Sequence, residues 1–84
     1  MKRVVATVRP FIFKQIIQVY DGDMLLDQRM LPLKSVTDGI VGFCKLRDVH
    51  EVDLTGSPMF TSKIKQELLD VCKFKELDIN VNIY

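Results

Sequence analysis

The segment HEVDLTGSP, residues 50–58, contains a strand pattern that runs directly into a helix start. After His50, polar residues at Glu51, Asp53 and Thr55 alternate with Val52 and Leu54, which is the two-residue period of a half-buried strand. Ser57 is a preferred residue before a helix, and Pro58 suits the first helical position because the amide it lacks would be unpaired there. The segment predicts a strand followed at once by a helix.

The residues that follow predict a helix and a second strand. Lys73 and Lys75 complement the negative end of this helix's dipole. Residues 78–84, DINVNIY, alternate as a final strand. A strand, a helix and a further strand in this order favour a right-handed crossover between parallel strands. The apolar stripe of the helix consists of Phe60, Ile64, Leu68, Val71 and Cys72.

The first third of the chain predicts an antiparallel meander of three strands. Residues 4–8 and 15–20 are rich in β-branched side chains, and residues 24–31 form a third strand that Pro32 ends. Asp21-Gly22-Asp23 predicts the tight turn between the second and third strands, because Gly accepts the positive φ that such turns require. The three strands are therefore expected to pair in sequence order.

A helix is predicted to begin at Ser35, between the third and fourth strands. Ser35 and Asp38 fit a capping box, in which the Ser side chain accepts a hydrogen bond from a first-turn amide and the acid reaches back to the backbone N–H of Ser35. Gly39 and Gly42 weaken this helix by about 1 kcal/mol each relative to Ala. We expect a close approach to the sheet or to a partner to compensate for that loss. One side of the helix carries Val36, Ile40, Phe43, Cys44 and Arg47, with Val49 closing the segment.

Together these elements predict an α/β fold of the α+β type in two layers. The element order is β-β-β-α-β-α-β, and right-handed crossovers place both helices on one face of a mixed five-stranded sheet of order 3-2-1-4-5. The 84 residues are expected to form a single domain, 1–84, because so short a chain supports one modest core. The other face of the sheet is expected to be open. The predicted core contains Ile40, Cys44, Val52, Leu54, Phe60, Ile64, Leu68, Val81 and Ile83.

Composition and charge narrow the class of protein. The chain is 48% hydrophobic and 27% charged, which is typical of globular rather than disordered proteins. Its net charge of +1 provides no global attraction to nucleic acid or anionic membrane. The apolar run after Arg3 ends at Arg9, too early for a signal peptide or a membrane span, so we expect a cytoplasmic protein without membrane association. Cys44 and Cys72 are then expected to be reduced and buried.

The order of the strands and elements resembles the core of the ribonuclease H-like superfamily, which includes nucleases, transposases, Holliday-junction resolvases and the halves of actin-like ATPases. The resemblance covers nearly the whole chain and rests on topology rather than on a motif. It implies that Asp53 stands where the nucleases carry a metal-binding acid on the fourth strand. Their first-strand acid has no counterpart among residues 4–8. We therefore expect a related fold without nuclease chemistry, and no metal or cofactor.

The segment Pro10-Phe11-Ile12-Phe13 is the leading candidate for an interaction site. Connections between strands are usually polar and rich in Gly, Asn or Asp, whereas this one has three large apolar side chains in a row. Phe11, Ile12 and Phe13 either continue a strand or form an exposed apolar patch. An exposed patch of this kind marks a partner surface.

A weaker candidate lies on the polar side of the fourth strand, at Glu51, Asp53 and Thr55. Alternate strand residues share a face, so Glu51 and Asp53 are either a general acid/base pair or the solvated side of the sheet. His50 has no second metal ligand nearby in sequence. The segment from Thr55 to Pro58 precedes a helix N-terminus, where free amides bind anions, but the same residues are needed to begin the helix.

These observations favour a small, non-catalytic module for protein interaction or self-association, as found among accessory proteins of bacteria, phages and mobile elements. The expected partner is another protein or a second copy, bound through the open face, a sheet edge or the Phe11 segment. The alternative is a nucleic-acid-binding or vestigial nuclease-like domain. Least favoured is a metal nuclease that combines Asp53 with Asp21, Asp23 or a partner subunit's acids. The nucleic-acid hypothesis depends on a basic patch of Lys2, Arg3, Arg9, Lys14 and Arg29.

Overall fold

A computed structural model of the chain describes residues 1–9 and 13–84. Its strands and helices follow the predicted order, with one turn of 3-10 helix at Leu33–Ser35 that the sequence did not indicate. The elements are β1 (Lys2–Val8), β2 (Lys14–Asp21), β3 (Met24–Pro32), α1 (Val36–Arg47), β4 (Glu51–Gly56), α2 (Pro58–Lys75) and β5 (Asn80–Ile83).

The five strands form one mixed sheet with the order β3-β2-β1-β4-β5. The central strand, β1, pairs antiparallel with β2 and parallel with β4. The outer pairs are β2–β3, which is antiparallel, and β4–β5, which is parallel. The predicted fold class and strand order are confirmed, and β3 and β5 are the two edges of the sheet.

Both helices cover the same face of the sheet. α1 packs on β1, β2 and β3, and α2 packs on β4 and β5. Alternate residues of the central strands point into this layer, among them Val4, Ala6 and Leu54, which have no exposed surface. The buried apolar side chains form one cluster, as a two-layer fold requires.

The predicted core is confirmed for six of its members, which are Ile40, Cys44, Val52, Leu54, Ile64 and Leu68. Phe60 and Val81 are only partly buried and pack against the margin of the cluster. Ile83 was assigned wrongly, since 40% of its surface is exposed. It is the last residue of β5, an edge strand with a neighbour on one side only.

The predicted capping box at Ser35 does not form. Ser35 has φ −103° and ψ 0° and makes no side-chain bond to the helix. A capping residue needs extended backbone to aim its side chain at the first-turn amides. The 3-10 turn from Leu33 instead delivers Ser35 in a near-helical conformation, and α1 begins as a continuation of that turn.

The two glycines of α1 differ in their surroundings. A Cβ on Gly39 would collide with Cδ1 of Leu31 and would lie 3.1 Å from Cδ1 of Ile17, so the helix approaches the sheet closely at this point. A Cβ on Gly42 would meet nothing within 4 Å. The expected close approach to the sheet is therefore confirmed for Gly39 only.

Both cysteines are buried and free, as predicted. Burial raises the pKa of the Cys44 thiol to about 12, and the neighbouring Cys72 contributes to the rise. Burial also raises the pKa of Cys72. Within residues 1–9 and 13–84, no helix has the length and hydropathy needed to cross a membrane.

Candidate interaction surface

The sheet face away from the helices, here called the open face, divides into a polar and an apolar part. Strand residues that alternate with core positions point to this face, and paired residues share it. We call the apolar part, on β2 and β3, the apolar edge; its members are Ile16, Tyr20, Leu25 and Met30. The polar half lies on β1, β4 and β5 and comprises Arg3, Thr7, Glu51, Asp53, Thr55, Asn80 and Asn82.

Asp53 is the centre of the polar half. Nη1 of Arg3 lies 2.8 Å from Oδ2 of Asp53, and the side-chain amide of Asn82 donates to Oδ1 at 3.2 Å. The same amide donates to Glu51 at 3.3 Å, and Asn80 donates to the other oxygen of Glu51 at 3.1 Å. The two strands that flank β4, which are β1 and β5, thus provide the donors for its carboxylates.

Asp53 is less solvated than the sequence indicated. Only 6% of its surface is exposed, because Arg3 and Asn82 lie over it. A general acid/base pair of carboxylates relies on the repulsion between its two members. The side-chain amide of Asn82 donates to both Asp53 and Glu51 and so relieves that repulsion. The contacts of Asp53 therefore serve to join β1, β4 and β5 across the open face.

Thr55 and the loop after it connect β4 to β1. The hydroxyl of Thr55 donates to Oγ1 of Thr7 at 3.3 Å. The backbone N–H of Ser57 donates to the carbonyl of Val8 at 2.8 Å, and the Ser57 side chain makes no capping bond. The amide of Ser57, within the segment that was considered for anion binding, is thus occupied by the sheet.

The apolar edge consists of two cross-strand pairs. Ile16 lies opposite Met30, and Tyr20 lies opposite Leu25. Leu25 is 48% exposed and Met30 is 53% exposed. Between them the register skips Leu26, which packs against the core instead, so the strand bulges here. The bulge leaves Leu25 on the open face beside Tyr20, and the hydrogen-bonded pair Gln18–Gln28 separates these two residues from Ile16 and Met30.

The predicted Phe11-Ile12-Phe13 site is described only in part. Phe13 is 82% exposed and lies directly before β2. Phe11 and Ile12 lie outside the described residues, so their role stays a prediction. Because Lys14 pairs with Pro32, Phe13 lies at the same end of the sheet as Met30.

The outer edge of β3 is the feature that the sequence analysis did not single out. β3 has nine residues and pairs with β2 only, whereas the opposite edge, β5, has four. Unpaired backbone groups recruit other strands, so proteins usually shorten, bulge, charge or cover such edges. β3 has a bulge at Leu26 and charges at Asp27 and Arg29, but it is not short. The signal was present in the predicted strand order, which already placed the third strand outermost.

The basic residues do not gather into one patch. Arg3 is paired with Asp53 on the open face. Arg29 extends over the ring of Phe43, 5.3 Å from its centroid, on the side of the helices. The predicted patch is therefore divided between the two faces of the sheet.

His50 connects two chain segments at the opposite end of β4 from the Ser57 loop. Its Nδ1 lies 2.7 Å from the carbonyl oxygen of Asp78, which only accepts, so this nitrogen carries a proton. Nε2 lies 3.2 Å from Oδ1 of Asp48. These contacts, the Asp78 carbonyl first, raise the pKa of His50 above its usual value.

The fold and the surface define a class, a two-layer α+β domain with an open sheet face and a long free edge. Among the described residues, no cluster of three or more His, Cys, Asp or Glu side chains is arranged to hold a metal ion. Comparisons of the chain with protein-family models, with curated proteins and with solved structures each gave no match.

Proposed function

We propose that this chain is a non-catalytic protein-interaction module whose contact surface is the outer edge of β3 together with the apolar edge. One observation carries the proposal. A nine-residue edge strand exposes apolar side chains at Met24, Leu25 and Met30, which are 66%, 48% and 53% exposed. A long edge that exposes apolar side chains recruits a further strand or an apolar surface.

The energetics favour a covered edge. Burying one side chain of this kind contributes roughly 1.5–3 kcal/mol. An added strand also provides acceptors and donors for the outer backbone groups of β3, as in other cases of strand addition. Phe13 is a further exposed apolar side chain at the Met30 end of the sheet. The predicted role of the Phe11 segment is compatible with this site.

No specific observation favours the nucleic-acid alternative. Its basic residues are divided between the two faces, and Arg3 is engaged by Asp53. The resemblance to ribonuclease H-like proteins stays a prediction about the fold. The contacts of Asp53 with Arg3 and Asn82 fit a structural role for this acid.

The proposal is tested by Met30→Lys, which places a charge on the contact surface. Met30 is half exposed, so the variant is expected to keep the thermal midpoint of the wild type. The matched control is Met59→Lys, at an exposed site on α2, 77% exposed and outside the contact surface. Each protein is immobilised, and the proteins it retains from cells of its source, a second copy included, are identified by mass spectrometry.

We expect the wild type and Met59→Lys to retain the same identified proteins, and Met30→Lys to lose them. The physical reason is that a lysine amine must be desolvated when the edge is covered. Retention by Met30→Lys of every protein that the wild type retains would show that the β3 edge is not the contact surface.

A further inference from the structure

We infer that the occupant of the β3 edge is a second copy of this chain, whose β3 pairs antiparallel with the first across a two-fold axis at Gln28. The inference rests on the proposed function and names its partner. Such an axis, perpendicular to the sheet, joins two five-stranded sheets into one. Both helical layers then lie on one side, and both apolar edges lie on the other.

The charges of β3 are complementary to themselves about Gln28. The central residues are Asp27, Gln28 and Arg29. Antiparallel pairing about Gln28 sets Asp27 of each copy opposite Arg29 of the other, so two pairs of opposite charge form across the axis. Directly opposed charges of unlike sign stabilise a strand pair, and charges of like sign destabilise it.

The neighbouring two-fold registers are excluded by the same charges. An axis at Asp27 would oppose two aspartates, and an axis at Arg29 would oppose two arginines. An axis between residues would set side chains of opposite faces against each other, because the side-chain period of a strand is two. Among the axes from Asp27 to Arg29, only the one at Gln28 opposes unlike charges on a shared face.

The side chains that would meet are on the correct face. Asp27 lies opposite Val19 of β2 and Arg29 lies opposite Ile17, two positions that point into the helical layer. Asp27 and Arg29 therefore share that face of the sheet, in each copy and across the axis. Nη2 of Arg47, at the end of α1, lies 3.4 Å from Oδ2 of Asp27, so this aspartate already has one positive neighbour within its own copy.

The backbone at the axis has a donor for the second strand. The N–H of Gln28 donates to Oδ1 of Asp27 at 2.8 Å, an acceptor from its own strand. A carbonyl of the second β3 can replace this acceptor, which releases the carboxylate toward Arg29 of the second copy. The bulge at Leu26 limits the regular ladder to a few residues around Gln28.

The first test reverses the charges at Asp27 and Arg29 and measures dimer formation. Sedimentation velocity from about 10 μM to about 1 mM protein gives the fraction of dimer. We expect the wild type to form dimers. Asp27→Arg and Arg29→Asp each oppose like charges twice, so each alone is expected to weaken the dimer by about tenfold or more. An equimolar mixture of the two variants restores unlike charges at both pairs and is expected to form a heterodimer.

The mixture separates loss of pairing from loss of fold. Asp27 contacts Arg47, and Arg29 lies over Phe43, so either variant can lose stability by itself. Thermal midpoints by circular dichroism check this. A folded mixture that stays monomeric, or single variants that dimerise as the wild type does, would overturn the inference.

A second test does not depend on these charges. Gln28→Cys brings the two introduced thiols to opposed positions at the axis, where side chains lie about 5 Å apart, so mild oxidation is expected to yield a covalent dimer. Gln18→Cys is the control, because Gln18 lies beside Gln28 on β2, one strand farther from the axis. The native cysteines are buried and do not compete.

The outcomes distinguish this inference from the proposed function. A wild type that stays monomeric throughout, with equal crosslinking of Gln28→Cys and Gln18→Cys, would show that a second copy is not the occupant. Met30→Lys would then still decide whether the edge binds a different protein. If the wild type stayed monomeric and Met30→Lys also retained every protein that the wild type retains, the β3 edge would be excluded as a contact surface.

Discussion

A single glycine, Gly56, allows the chain to turn from the sheet into the helical layer. Gly56 ends β4 with φ 113°, in a region that side chains rarely adopt, and a Cβ there would collide with the carbonyl of Val8. This approach lets the next amide, of Ser57, bond to the same carbonyl. The β4–α2 junction therefore needs Gly56 both for its φ and for its lack of a side chain.

Gly56→Ala is expected to lower the free energy of unfolding by about 3 kcal/mol, as the sum of backbone strain and collision with β1. Urea denaturation measures the change. Gly22→Ala is the matched control, since Gly22 has φ 61° but would meet nothing within 4 Å. It is expected to lose only about 1 kcal/mol. Equal losses for the two variants would contradict the proposed collision at Gly56.

At the scale of elements, α1 shows how packing selects among local preferences. Its sequence fits a capping box at Ser35, yet the preceding 3-10 turn sets a backbone that cannot use it. Its two glycines look equivalent in the sequence, yet only Gly39 faces the sheet at close range. The start of the helix is therefore held by contacts with the sheet rather than by a side-chain cap, whereas its end is closed by backbone bonds to the carbonyl of Cys44.

Gly42→Ala is expected to raise the free energy of unfolding by about 0.5–1 kcal/mol, because Ala is the better helix former and the site has open space. Gly39→Ala has the same intrinsic gain, but it must displace Leu31 and Ile17, so no net gain is expected. Chemical denaturation of the two variants in parallel makes the comparison. An equal gain at both positions would mean that the helix does not approach the sheet closely at Gly39.

The whole molecule is asymmetric across its sheet. One face is sealed by both helices, and the other is divided into the polar half, joined by Asp53, and the apolar edge. The central strands are held on both sides, whereas β3 is held by β2 alone. The long edge of β3 therefore leaves backbone groups and apolar side chains to be covered.

The sealed layer is tested through its thiols, which lie on α1 and α2. Burial raises the pKa of Cys44 to about 12, so at pH 8 this thiol is almost entirely protonated. The native protein is expected to react slowly with a thiol reagent, faster as the pH rises, and fully in denaturant. The control is Met59→Cys, at an exposed site that is expected to react at once. Native cysteines as fast as this control would show that the helical layer is open.

Local patterns in the sequence were sufficient for the fold. The alternation around Val52 and Leu54, the turn at Gly22 and the Pro58 helix start predicted the elements, and crossover handedness then gave the strand order. These features act between near neighbours, so they can be read along the chain. Phe13 could likewise be singled out as an apolar residue in a connection, although its surroundings could not.

Only the tertiary structure decided which side chains meet. The burial of Asp53 depends on Arg3 and Asn82, which are 50 and 29 residues away along the chain. The atoms with which a Cβ on Gly39 or Gly56 would collide belong to strands that are distant along the chain. The exposure of Leu25 and Met30 follows from the position of β3 at the edge of the sheet and from the bulge at Leu26. Contacts between distant segments leave no periodic trace in the sequence, because a periodic pattern records only which side of its own element a residue occupies.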